Sequence, residues 1–420
     1  MHIALAILLW ACVAVSATTA ICWLITAFHI LRTMVCIPSL RDGLTGTGAT
    51  STGLPPTPGT PEPAVCVVIP AHNEERVIAM NLGAMLEQDY GRLSVVYALD
   101  RCTDRTEAII REGSGSDPRI SVLRITECPE PWVGKVHALH TAVSTAEAAR
   151  SADLLLFLDA DTIPAPNCIT AAVSLMRQRG DDLLSVLSTL TSERWFELIA
   201  QPVAGFELLR QYPLYRANDR VHPRPFANGQ FILVKRVVYE ALGGHRAVMT
   251  EVLEDVWLAR TFSRAGHRCG FYFSGDLLRC RMYEEWDRFR RGWLRIYGEC
   301  ASRKPDRLRR SAWVVVLFMC VLPLASLGTA VMGAGLWVAA PESGRDVAVG
   351  AALLAGSSGL IAWLGAMSLV YRLGRTPVWA SPASVVGGWL VAGLLREAAR
   401  NYERNRPVVW GGKEYHRDQR

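Results

Sequence analysis

The chain has 420 residues, 50% of them hydrophobic and 20% charged, with a mean hydropathy of +0.17 and a formal net charge of +6. Met1–Leu31, Ser311–Pro341, Val347–Tyr371 and Thr376–Leu395 contain no Lys, Arg, Asp or Glu, and a run of about 20 apolar residues is enough to cross a bilayer. Such a distribution excludes a wholly soluble protein, a disordered chain and a collagen-like one.

The first run, residues 1–31, is expected to be a membrane anchor rather than a cleaved leader. It lacks a basic start, and apolar sequence continues past the small residues Ser16–Ala20 through Trp23, Leu24, Ile25 and Phe28. Arg32 and Arg41 follow it, which places its C-terminal end in the cytoplasm. Residues 32–63 form a linker, and Gly43–Pro63, rich in Gly, Thr and Pro, has no apolar face to bury.

From Ala64 the pattern alternates. Short apolar strands are expected at Val65–Ile69, stopped by Pro70, and at Leu93–Leu99, Ile120–Ile125 and Leu154–Leu158. Helices are expected between them, at Glu75–Gln88, Arg105–Arg111 and Lys135–Arg150. Continuous apolar strands alternating with helices indicate a parallel sheet in an α/β domain, here residues 64–280. Ligands of such sheets bind beyond the carboxyl ends of the strands.

Residues 281–310 carry ten basic and five acidic side chains, a local charge of +5 that abuts the Ser311 run. That placement suits an anionic membrane surface, and no zinc-finger, RNA-recognition or helix-turn-helix signature points to nucleic acid. Residues 311–395 read as a hairpin of two spans followed by a segment, Thr376–Leu395, with basic residues on both sides. A full crossing there would export Arg396, Arg400, Arg404 and Arg406, so a re-entrant or interfacial segment is expected, with residues 396–420 as a basic cytoplasmic tail. The location expected is the plasma membrane, with the α/β domain facing the cytoplasm. The eleven cysteines are scattered singly with no C-x-x-C pair, which reads as reduced thiols.

The chemistry-bearing strings fall at the expected strand ends. Leu156-Phe157-Leu158-Asp159-Ala160-Asp161 ends a buried strand in two carboxylates one residue apart. Side chains two apart on a strand face the same way, and Mg²⁺ or Mn²⁺ is held by one or two carboxylates plus phosphates. A solvated strand end with an Asp turn accounts for the same string taken alone. Upstream, one strand ends in Pro70-Ala71-His72-Asn73-Glu74, another in Asp100-Arg101-Cys102-Thr103-Asp104, and Gly134-Lys135 opens a helix. Downstream come Asn228-Gly229-Gln230, Gly243-Gly244-His245 and Glu254-Asp255. The last pair is also what a helix start favours.

This order resembles family 2 glycosyltransferases of the GT-A fold over about Val65 to Trp293. The resemblance implies a Rossmann-like, mostly parallel sheet and a nucleotide-sugar donor, UDP-linked in preference. It implies that Pro70, Ala71, Asn73 and Glu74 lie against the nucleotide, that Asp100 pairs with the base, and that Lys135 and Asp159 lie near the nucleotide. It makes Asp161, with Asp159, the ligand of Mg²⁺ or Mn²⁺, and Asp255, beside Glu254, the general base. Gln230, His245 and Trp293 are the weaker candidates for acceptor or sugar contacts. Gly292-Trp293 stands where processive synthases carry Arg-Trp, and this form looks like the subgroup associated with carotenoid and hopanoid glycosylation. The tail Trp410-Gly411-Gly412-Lys413-Glu414-Tyr415 resembles the W-K-G-R-x-Y tail of membrane members, with two substitutions.

The expected function is inverting, metal-dependent transfer of a sugar to a membrane-associated lipid or isoprenoid hydroxyl. A polyprenyl-phosphate transferase and a non-catalytic nucleotide-binding scaffold are the alternatives. A transporter is disfavoured, because the apolar runs carry no ionisable residue at mid-depth.

Overall fold

The computed structural model describes residues 3–45, 62–339, 346–406, 408–410 and 413–415. Half of the expected linker, residues 46–61, and parts of the tail therefore lie outside the described residues. The chain divides into two compact units, one of residues 36–191, 214–284 and 407–420, the other of residues 1–35, 192–213 and 285–406.

The first unit is built on β1 (Val65–Ala71), β2 (Leu93–Asp100), β3 (Ile120–Ile125), β4 (Leu154–Leu158), β5 (Thr162–Pro164), β6 (Leu183–Leu187), β7 (Thr189–Leu190), β8 (Phe231–Lys235), β9 (Cys269–Phe273) and β10 (Leu278–Cys280). Seven of them form one sheet in the order β3-β2-β1-β4-β8-β6-β9, and β5-β10-β7 form a second. In the larger sheet β8 runs antiparallel to β4 and β6, and every other pairing is parallel. The sheet is thus mostly parallel, as the GT-A resemblance implies.

Its strands read as continuous apolar runs because both faces are covered. Val65, Val67 and Ile69 pack into one layer with the helices Ile78–Leu86 and Cys168–Arg179, while Cys66 and Val68 pack into the other with Gly134–Thr145 and Glu254–Arg264. Each fully buried Val or Leu in these layers contributes about 1.5–3 kcal/mol. The first strand runs one residue past Pro70, which lies opposite Ala98 in the ladder. The long helix expected over Lys135–Arg150 is two helices, Gly134–Thr145 and Glu147–Ser151, separated by Ala146 in an extended conformation.

The second unit is helical. Four of its helices are long and apolar enough to cross a membrane: Ile3–Cys36, Pro305–Ala339, Val347–Leu373 and Val378–Glu403. Pro305–Ala339 carries a π turn at Leu317–Val321, just before Pro323, which is where a missing N–H disturbs the ladder. Small residues let these helices touch. A Cβ on Gly356 would lie 2.4 Å from Ala330 N, and one on Gly333 2.6 Å from Leu353 N, the close backbone approach that small residues allow between helices. Most of the expected basic region, residues 281–310, falls in the helices Trp286–Cys300 and Pro305–Val316.

Candidate active site

The sheet topology brings several of the singled-out strings to one edge. The carboxyl ends of β1, β2 and β4 carry His72–Glu75, Asp100–Arg101 and Asp159–Asp161. Because β8 is antiparallel, its beginning lies at that same edge, with Phe231 opposite Leu158. Asn228-Gly229-Gln230 therefore sits beside the D-x-D string, and the Asp159 N–H donates to Gln230 O at 3.3 Å.

Lys135 joins the two acidic motifs. Its Nζ lies 2.7 Å from Asp159 Oδ1 and 3.0 Å from Glu254 Oε1. A cation in the first turn of a helix opposes the helix dipole, so the carboxylates must hold it there. Burial works against its charge, but Asp159, Glu254 and Asp255 outweigh that and raise its pKa. Gly229 leaves the necessary room: a Cβ there would meet Lys135 Nζ at 3.0 Å and Asp255 Oδ2 at 3.3 Å.

Asp255 lies in the first turn of Glu254–Arg264. Its Oδ2 accepts the Gly229 N–H at 2.7 Å and its Oδ1 accepts the Val256 N–H at 2.8 Å. These bonds and Lys135 favour the carboxylate, but burial and Glu254 prevail and push its pKa up to about 7. A carboxyl poised near neutrality is suited to taking a proton. Asp161 is likewise pushed up to about 7, by burial and then by Asp159. Its Oδ1 is buried with no hydrogen-bond partner.

That unpartnered oxygen, next to a second carboxylate, fits a hard divalent cation that draws its remaining ligands from phosphate and water. Among the described residues no group of three or more His, Cys, Asp and Glu forms a ready-made metal cage. Such a cation would need the nucleotide to complete its shell.

The loops after β1 and β2 are tied together. Asn73 takes a left-handed conformation (φ 57°) and its Oδ1 accepts the Thr103 N–H at 2.8 Å. The Glu74 N–H donates to Thr106 Oγ1 at 2.8 Å, and Ala71 O accepts the Cys102 thiol at 3.3 Å. Pro70 is half-buried beside them. Asp100 is buried, and Arg101 grips both its oxygens, at 2.8 and 2.7 Å. His72 Nδ1 is 2.6 Å from Asp100 O.

Three weaker candidates are embedded in packing. Gln230 is 7% exposed and its amide is bonded to Asn228, Ser188 and Cys280. His245 is buried edge-on to Phe157, with Nδ1 2.7 Å from the Tyr239 hydroxyl, and burial, then Lys135, depresses its pKa to about 3. Trp293 belongs to the helical unit, where it is buried between Phe289 and Tyr297. The sequence reading did not single out Cys280 or Ser188, and nothing in their local sequence marks them.

The family described as Glycosyltransferase like family 2 matches residues 61–275. The 4,4'-diaponeurosporenoate glycosyltransferase of Staphylococcus aureus strain MRSA252 is 25% identical over 269 residues, 63% of this chain and 68% of that one. The protein of the same name from strain USA300 is 24% identical with the same coverage. Among solved structures, a mannosyltransferase from Pyrobaculum calidifontis in complex with GDP-Man and Mn²⁺ is similar at a TM-score of 0.48 and 21% identity, over 91% of this chain and 99% of that one. Glucosyl-3-phosphoglycerate synthase from Mycobacterium tuberculosis, with Mn²⁺, UDP-glucose and phosphoglyceric acid, is similar at a TM-score of 0.39 and 21% identity, over 57% and 79%.

Proposed function

We propose that this chain, which belongs to glycosyltransferase-like family 2, transfers a sugar from a nucleotide-sugar donor, UDP-linked in preference, to the hydroxyl of a membrane-borne lipid or isoprenoid, with inversion at the anomeric carbon. The observation that supports this reading most is the Lys135 bridge between Asp159 and Glu254, beside an Asp255 held near neutrality. It gathers a donor-side carboxylate pair and a proton acceptor around one buried cation.

In this reading Asp255 takes the acceptor proton as the acceptor oxygen attacks the anomeric carbon. The bond from that carbon to the diphosphate breaks, and the nucleoside diphosphate leaves from the opposite face. Asp161 and Asp159 would hold a divalent cation, which would neutralise the charge that develops on the diphosphate. Lys135 holds Asp159 and Glu254 in place. The strand ends and loops carrying Pro70, Ala71, Asn73, Glu74 and Asp100 are assigned to the nucleotide. Arg101 already occupies both oxygens of Asp100, so base recognition there involves the pair rather than the carboxylate alone. The lipid acceptor is supported by the four apolar helices and by the isoprenoid-derived substrate in the name of the Staphylococcus aureus relatives.

The test is nucleotide release by the detergent-solubilised protein. A panel of nucleotide sugars is offered with Mn²⁺ or Mg²⁺ and a membrane lipid extract, in parallel with Asp161→Ala. The expected result is lipid-dependent release from one donor, lost in Asp161→Ala. Undiminished release by that variant would remove Asp161 from the metal site, and failure to bind any nucleotide would sink the donor assignment.

A re-entrant or interfacial path for residues 376–395 is also part of this reading. Within the helical unit, Cys320 Sγ contacts Val385 O at 3.2 Å, while Arg309 Nη2 meets Glu403 Oε1 at 2.6 Å. Ser384–Glu403 therefore rises from the depth of Cys320 toward the end at which Pro305–Ala339 begins. Arg290 and Glu397 pair at that same end. On this reading the basic tail stays cytoplasmic. A green fluorescent protein fused to the C-terminus is expected to fluoresce. A dark fusion, with an active alkaline phosphatase fusion at the same point, would mean a full fourth crossing.

A further inference from the structure

A second set of buried groups lies against Asp161, and no step above uses it. Cys280 is fully buried on β10, opposite Thr162 of β5. The Asp161 carboxylate is close enough to act on its thiol. Its sulfur also accepts a hydrogen bond from Gln230 Nε2 at 3.0 Å. Gln230 Oε1 in turn accepts from Asn228 Nδ2 at 2.8 Å and from the Ser188 hydroxyl.

These partners fix every donor in the chain. A flipped Gln230 amide would set its NH₂ against the NH₂ of Asn228, so Nε2 faces the sulfur. A sulfur that receives that N–H directs its own proton elsewhere, and the acceptor present is Asp161. The backbone at Asp161 is held too, since the Arg281 N–H donates to Asp161 O at 2.9 Å. Asp161 Oδ1 is itself buried and without a hydrogen-bond partner, which leaves the other carboxylate oxygen for the thiol. The same tripeptide reaches the other motif, because the Gly229 N–H holds Asp255.

We propose that Cys280 and Gln230 are positioning residues for Asp161, a buried Ser188/Asn228–Gln230–Cys280 relay that turns Oδ1 toward the divalent cation. The inference rests on the reading of Asp161 as a metal ligand. A hydrogen-bonded partner behind a ligand fixes its orientation, and its loss costs about 10–100-fold in metal affinity. The two ends of Asn228-Gly229-Gln230 thereby set the metal carboxylate and the base in one frame.

The test is Mn²⁺ binding to the full-length protein in detergent, with UDP present, followed by the electron paramagnetic resonance of free Mn²⁺. Cys280→Ala is expected to weaken binding by about 10–100-fold. Cys280→Ser, which keeps a donor, is expected to recover most of that loss. Gln230→Met, which removes the amide but not the thiol, is expected to fall between them. UDP binding without metal is expected to be the same in all four proteins. Wild-type Mn²⁺ affinity in Cys280→Ala or in Gln230→Met would overturn the relay. Equal losses in the Ser and Ala variants, with equally lowered melting temperatures, would reduce it to packing. A wild-type protein that binds no Mn²⁺ would overturn the metal reading itself, and the relay with it.

Discussion

Asp255→Asn is expected to lower the rate of transfer by about 10²–10⁴-fold, the usual contribution of a positioned general base. Fold and donor binding should survive, because an amide oxygen can still accept the N–H of Gly229, which now donates to Oδ2 at 2.7 Å. The pH dependence carries a sign. The proton affinity of Asp255 is raised, to about 7, by burial and Glu254. The base is therefore protonated and idle below that pH, and kcat/KM should rise as pH increases through about 7. In Asp255→Asn this rise should flatten. The measurement is the pH profile of nucleotide release for both proteins with saturating lipid. A small loss in the variant would mean that the acceptor arrives already as an anion, a carboxylate or a polyprenyl phosphate, and needs no base.

Lys135→Met is expected to act on stability and on proton affinity together. The side chain is the cation between Asp159 and Glu254, at 2.7 and 3.0 Å. Removing one partner from a buried ion pair typically costs about 3–5 kcal/mol, because the charges left behind lose their compensation. The cost depends on pH with a definite sign. At pH 8 the carboxylates are ionised and repel one another; at pH 5 the raised proton affinities of Asp161 and Asp255 leave them largely protonated. The fall in melting temperature should therefore be larger at pH 8 than at pH 5. Lys135 also lowers the proton affinity of Asp255, so residual activity should rise with pH later than in the wild type. Equal destabilisation at both pH values would show that Lys135 contributes packing rather than charge. Transfer with an unshifted profile would separate it from the base.

Each motif was legible because its signal is local. Leu154–Leu158 is an unbroken apolar run followed by Asp159 and Asp161, and a strand buried on both faces leaves its first carboxylates at its end. Pro70 misled slightly: it suggests a stop, yet the ladder carries β1 on to Ala71. Lys135–Arg150 suggested one helix, but Ala146 interrupts it. An alanine carries no sequence mark of a break, so only packing decides it.

The partners of each motif were not legible. That Lys135 bridges Asp159 and Glu254 depends on where helices far apart in sequence begin. That Asn228-Gly229-Gln230 lies beside Asp159 depends on β8 inserting antiparallel between β4 and β6. Gln230 and His245 drew notice as polar residues in apolar surroundings. The chain itself could not say whether their hydrogen bonds would go to a substrate or, as the folded protein has it, to Ser188, Asn228, Cys280 and Tyr239.

The apolar helices, the α/β domain with its sheet-edge motifs, and the glycosyltransferase family could be read from the chain alone. These follow from periodicity, composition and short strings that act within a few residues. Folding in three dimensions settled which carboxylate faces which cation, which polar groups are consumed inside the fold, and which oxygen of Asp161 is left without a partner. Those outcomes depend on the distances, angles and burial of residues remote in the chain, which set the strength of hydrogen bonds and charge interactions.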